Sequence, residues 1–138
     1  MYKNRKERKS LGFCSDCPNK SVNGYGYCKS CLVKRRDKNR EIRSTNKKDV
    51  ISHYGGQCSC CGEERLEFLT IDHINNDGAI HKKEVGGSGD AMYRWIKKNK
   101  YPKNRFQILC YNCNYSKGFM GYCPHKKEKQ YMAQMEER

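Results

Sequence analysis

Large apolar side chains are scarce in this chain. Leucine, isoleucine, valine and phenylalanine together account for 20 of its 138 residues, beside one tryptophan and three prolines. So little apolar surface is, taken alone, the composition of a disordered chain, because its burial cannot offset the entropy lost on folding. The length leaves room for one domain or two very small ones, and excludes a large multidomain enzyme. No uninterrupted apolar run approaches the roughly 18 residues of a membrane-spanning helix. The opening MYKNRKERKS is charged with no apolar segment behind it, which argues against a secretory signal and sets the expectation of a reducing, cytoplasmic setting. Acidic residues are also few, 15 against 29 lysines and arginines, for a formal charge of +14. That surplus points to a polyanionic partner, nucleic acid first. An anionic membrane surface is disfavoured because no amphipathic anchor accompanies the charge.

What the chain has in quantity is cysteine, ten residues of it. Reduced thiols at metal-ligand spacing can supply the folding free energy that a thin core lacks, at about 10 to 16 kcal/mol per structural zinc site. A CxxC turn lets two thiolates reach one zinc, and two such turns close a tetrahedral site. Cys14, Cys17, Cys28 and Cys31 compose the first site, and Cys58, Cys61, Cys110 and Cys113 the second. Two structural Zn²⁺ ions are therefore expected, with no open coordination position for a catalytic water. Cys60 and Cys123 lie outside both sets. The C-x-x-C-G spacing over residues 58–62 makes Cys60 a non-ligand, and Cys123–Pro124–His125 reads as packing or tail chemistry before an auxiliary metal pair.

Along the chain, residues 1–12 form a basic arm, 13–48 a four-cysteine finger with a basic helix, 49–125 a second module and 126–138 a charged tail. A helix is expected from Leu32 to about Lys48, without glycine or proline, and a second, short one over 49–56 closed by glycine. Leu66 and Phe68 to Ile71 read as a strand that delivers Asp72 and His73. Residues 79–90, with their Gly-Gly-Ser-Gly, read as a loop and 91–100 as a helix. Residues 105–119 read as strand, cysteine knuckle and helix start. The fold class is a small, zinc-stabilised α+β protein.

The order of pieces in the second module is specific. Cys58-Ser59-Cys60-Cys61-Gly62, then Asp72–His73, then Cys110-Tyr111-Asn112-Cys113-Asn114 followed by Lys117 resembles the HNH, or ββα-metal, nuclease family over about residues 50–125. The closest likeness is to small phage-encoded or homing-type HNH endonucleases, which often carry an N-terminal finger. The resemblance implies a treble-clef-like ββα-metal fold and phosphodiester hydrolysis with one catalytic Mg²⁺ or Mn²⁺. By the family's motif His73 is the general base that deprotonates water, a task suited to an imidazole titrating near neutrality. Asp72 and Asn114 are the implied ligands of the divalent cation. Asn114 stands where many members have a final histidine, making this an H-N-N variant. The family's middle asparagine, which braces the general base, falls at Arg105 here. Either Asn104, one residue earlier, takes that part or the part is absent. His81, eight residues after His73, is placed to contact the scissile phosphate or to be solvated beside Lys82 and Lys83.

Double-stranded DNA is the expected partner. Lys34, Arg35, Arg36, Arg40 and Arg43, with Lys3, Arg5, Lys6, Arg8 and Lys9 of the arm, would neutralise phosphates and release counterions. Lys117, Arg94, Lys97 and Lys98 would do the same near the cut, and tyrosines 25, 27, 111, 115 and 122 offer faces for stacking or core filling. Two other readings remain at this point: a two-zinc nucleic-acid-binding protein without turnover, and a protein acting on RNA. Oligomeric state has no signature in the sequence.

Overall fold

The computed structural model describes residues 4–22 and 25–126; Lys3 and residues 127–138 of the expected tail lie outside them. The chain divides into two compact units, residues 1–44 and 45–138. The division falls at Ser44, four residues before the boundary expected from composition.

In the first unit the expected arm contains a helix, α1 (Arg5–Ser10). Asn4 makes it possible by capping, its side chain accepting from the Glu7 amide at 2.9 Å. A single β-bridge, Phe13 to Lys20, closes the turn that carries Cys14 and Cys17. Helix α2 (Lys29–His53) starts between Cys28 and Cys31 and runs on past residue 44 into the stretch belonging to the second unit. It merges the two expected helices into one of 25 residues. The separate helix over 49–56 is thus corrected: no glycine or proline interrupts residues 29 to 53, and Asp49, which could have capped a new helix, pairs instead with Lys97. Among the described residues of unit 1, the buried side chains are Cys14, Ser15 and Cys28. That is no hydrophobic core, and the four thiols at metal-ligand spacing are the one grouping among this unit's described residues that could hold an ion.

The second unit is a small α+β arrangement. A 3-10 turn (Leu66–Phe68) leads into β1 (Leu69–His73), which pairs antiparallel with β2 (Phe106–Cys110), Asp72 opposite Gln107 and His73 opposite Phe106. Helix α5 (Tyr111–Met120) leaves directly from β2 and packs on both strands. Between the strands lie α3 (Gly78–Val85) and α4 (Asp90–Lys98), packed on each other. The loop expected over 79–90 is corrected: only 86–89, the Gly-Gly-Ser-Gly itself, is irregular. Gly86, at φ 75°, ends α3 by turning its amide back to the Lys82 and Lys83 carbonyls. Nothing in 78–85 breaks a helix, and the glycines act as its stop.

The core of this unit has two parts. One joins Ile51, Leu69, Ile108 and Leu109 to Cys58, Cys60, Cys110, Cys113 and Cys123, so that sulfur makes up much of its volume. The other gathers Val50, Met92, Tyr93, Ile96 and Phe106. No helix among the described residues is long and apolar enough to cross a membrane.

Candidate functional site

The cysteine groups are assembled by local turns that the backbone closes. In unit 1 the Cys14 amide donates to the Asn19 carbonyl (2.8 Å), and Cys14, Cys17, Cys28 and Cys31 place their sulfurs within 4.8 Å of one another. The Ser30 hydroxyl beside Cys28, 3.2 Å from its sulfur, and the backbone amide of Cys31 bring that thiol down to about 6. In unit 2 the knuckle at 58–62 closes through Gly62 (φ 81°), whose amide donates to the Cys58 carbonyl. The Ser59 amide ties that knuckle to β2 at Ile108. Burial raises the Cys58 thiol, but the amides of Cys61, Cys110 and Cys60 outweigh it and leave it at about 7. Cys110 ends β2, Cys113 lies in the first turn of α5, and with Cys58 and Cys61 they form the second four-sulfur group. Both groups fit zinc. The cysteines set aside by spacing behave differently: Cys60 and Cys123 are buried and, with His125, gather around the Cys113 sulfur as a third group.

Strand β1 ends in Asp72 and His73, and α5 presents Asn114 one residue after Cys113. These three side chains, with Ile71, Asn76, Gly78, Ala79 and Gly118, line one open cleft of about 370 Å³. Asp72 is nearly buried, and its Oδ2 accepts from the Lys117 ammonium and from the Gln107 side-chain amide, both at 2.7 Å. Lys117 also donates to the His73 carbonyl at 2.8 Å. Lys117, expected on a DNA phosphate, has its side chain 18% exposed and ion-paired with Asp72. Gln107 was not singled out by the sequence. Its only signal is the strand register that sets it opposite Asp72, and that register spans the long insertion carrying α3 and α4.

The solvated alternative for His81 is overturned. The residue is fully buried on α3, stacked edge-on to Trp95 at 4.2 Å between ring centroids, and its Nδ1 lies 2.9 Å from Nε2 of His73. The polar group it meets in this buried position is the His73 ring. Nδ1 of His73 is turned the other way, toward Gly78, where an added Cβ would sit 3.0 Å from it. Only a glycine lets the start of α3 come this close to the imidazole. Burial first, with His81 and Arg105 adding to it against the opposing carboxylates of Asp77 and Asp72, lowers the His73 pKa, so the ring is neutral near pH 7.

Asn104 is exposed, at φ 66° in the turn before β2, the left-handed conformation that asparagine tolerates. Among the described residues the group that meets the His73 ring is His81, not Asn104. Arg105 bonds Asp77 at 3.0 Å, and its carbonyl accepts from the Ile74 amide, fixing the chain just beyond His73.

Of the basic residues on α2, Lys34, Arg36, Arg40 and Arg43 are exposed, and Arg36, Asn39, Arg40 and Arg43 line one groove at helical spacing. Arg35 is partly engaged, against Asp16 at 3.4 Å and over the Tyr27 ring. Arg94 and Lys97, expected near a cut site, instead pair with Asp90 and Asp49. Tyr25, Tyr111, Tyr115 and Tyr122 are exposed.

Compared with models of protein families, with curated proteins and with solved structures, the chain matches none.

Proposed function

We propose that the second unit is a metal-dependent DNA endonuclease of the HNH kind, with β1, β2 and α5 as its ββα-metal core, and that the basic face of α2 binds the DNA backbone. The observation that carries this reading is the convergence of Asp72, His73 and Asn114 on one open cleft, with His73 held from behind by a buried histidine.

In the tautomer where Nε2 of His73 donates to Nδ1 of His81, Nδ1 of His73 is an unprotonated base facing Gly78. It takes the proton of a water as that water's oxygen bonds to phosphorus; the bond to the leaving sugar oxygen breaks, and that oxygen is protonated from solvent. Asp72 and Asn114 are the residues that would hold the divalent cation, and their carboxylate and amide oxygens are donors that hard cations take. Both hydrogen bonds to Asp72 fall on Oδ2, and the Lys117 ammonium there already stands in for a positive charge at this carboxylate. When bound, Mg²⁺ or Mn²⁺ supplies charge stabilisation to the phosphate and the leaving oxygen. Arg36, Arg40 and Arg43 contribute affinity with little sequence information.

That same ammonium favours a second reading, a nucleic-acid-binding protein without turnover, since Asp72 is neutralised without any divalent ion. Cleavage of duplex DNA separates the two. The nuclease reading predicts products only with Mg²⁺ or Mn²⁺, lost in Asn114→Ala at unchanged zinc content. Salt-sensitive binding with no product under either cation would favour the binder.

A further inference from the structure

We propose that unit 2 holds two zinc ions that share the Cys113 thiolate as a bridge, Cys58, Cys61, Cys110 and Cys113 surrounding one, and Cys60, Cys113, Cys123 and His125 the other. Each of these groups brings its four ligand atoms within 4.8 Å of one another, and Cys113 belongs to both. Zinc–sulfur bonds of about 2.3 Å and zinc–nitrogen bonds of about 2.0 to 2.1 Å in a tetrahedron imply edges of roughly 3.7 Å between sulfurs and roughly 3.5 Å between sulfur and nitrogen. Cys61 and Cys110 have their sulfurs 3.7 Å apart. Nδ1 of His125 lies 3.4 Å from the Cys113 sulfur and 3.4 Å from the Cys123 sulfur. The spacing thus matches zinc on both sides of Cys113.

Packing alone explains a buried Cys60 or Cys123, since a thiol is a small apolar side chain. It does not explain His125. That residue is exposed and its ring nitrogen could be hydrated, yet Nδ1 is turned inward between two buried sulfurs. A soft thiolate has lone pairs for two cations, so Cys113 need not choose between the sets. Six thiolates, a neutral imidazole and two Zn²⁺ leave a formal charge of −2. Lys126 is among the residues lining the cavity beside Cys60, Cys113 and Cys123, a cationic side chain next to that negative charge. The inference stands apart from any nuclease activity.

The test is the zinc content of the full-length chain, purified under reducing conditions without chelator, by mass spectrometry of the metal against protein concentration. Three zinc ions per chain are expected, one in unit 1 and two in unit 2. His125→Ala, at an exposed position where folding is little disturbed, and Cys123→Ser should each hold two. Two ions in the parent chain, unchanged in both variants, would overturn the proposal. Exchange with cadmium-113 gives a second reading: two of three resonances split by a common metal–metal coupling through the bridging sulfur, collapsing in His125→Ala. Resonances without mutual coupling would contradict the bridge.

Discussion

His81 is a poor residue for stability and a good one for holding a base. It is fully buried, its Nδ1 meets His73, and its Nε2 has no hydrogen-bond partner, a cost of about 1 to 3 kcal/mol for an unsatisfied buried polar group. Phenylalanine keeps the ring against Trp95 and removes both nitrogens. His81→Phe should therefore melt at or above the wild-type temperature while cleavage turnover falls about 10- to 100-fold, because the His73 ring is no longer fixed. Turnover equal to wild type would remove His81 from the positioning role. The same residue sets a pH dependence. Burial, then the nearby Arg105, lowers its pKa, opposed by Glu84 and Asp77, while His73 and the rings of Trp95 and Phe106 complete its surroundings. The unfolded chain, with histidine near about 6.5, takes up a proton that the folded chain refuses. This contribution is whole above that pH and is lost as the pH falls from there through the lower folded value. Melting between pH 7.5 and 5.5, with zinc content verified, should drop more for the wild type than for His81→Phe; equal drops would assign the effect elsewhere.

At the scale of elements, the end of α2 is tied to α4 by a polar knot. Asn46, buried, donates to Asp90 at 2.8 Å and accepts from Lys97 at 3.1 Å, and Lys97 also pairs with Asp49. Asn46→Leu removes one hydrogen bond from each of Asp90 and Lys97, which keep Arg94 and Asp49, and should cost about 1 to 3 kcal/mol in denaturant unfolding; an unchanged midpoint would show the knot to be idle. This knot explains why α2 reads poorly from sequence. Its apolar residues, Leu32, Val33, Ile42, Val50 and Ile51, are too sparse to mark one buried face, and its C-terminal part has partners 44 to 51 positions away. The elements that were legible carry local signals: the CxxC turns, the short strand ending in Asp72–His73, and the helix opening at Cys110 to Cys113. Helix α3 was hidden by the glycines after it, which mark its end and not its absence. Asp72, His73 and Asn114 were legible as a set because metal-ligand spacing brackets them. The true neighbours of Lys117, His81 and Cys123 were not, since each depends on which faces the strand register and the α3–α4 insertion bring together.

For the whole molecule, the ratio of sulfur to aliphatic core decides how it holds together. Among described residues, unit 1 buries Cys14, Ser15 and Cys28, and one of the two core clusters of unit 2 includes five cysteines. At about 10 to 16 kcal/mol per structural zinc site, zinc held by these thiols would supply what unit 1 lacks in core and add to the small core of unit 2. A strong chelator should therefore collapse the helical circular dichroism of both units in cooperative steps, and zinc should restore it; a spectrum unchanged after the metal is stripped would refute this. The central claim, however, concerns what the folded molecule does at His73. The most direct test is conversion of supercoiled plasmid to nicked or linear form in Mg²⁺ or Mn²⁺ by the wild type and by His73→Ala at equal zinc content. The account predicts cleavage by the wild type and a loss of roughly 10² to 10⁴ in the variant. Equal cleavage by the two proteins, or binding without cleavage by both, would contradict it.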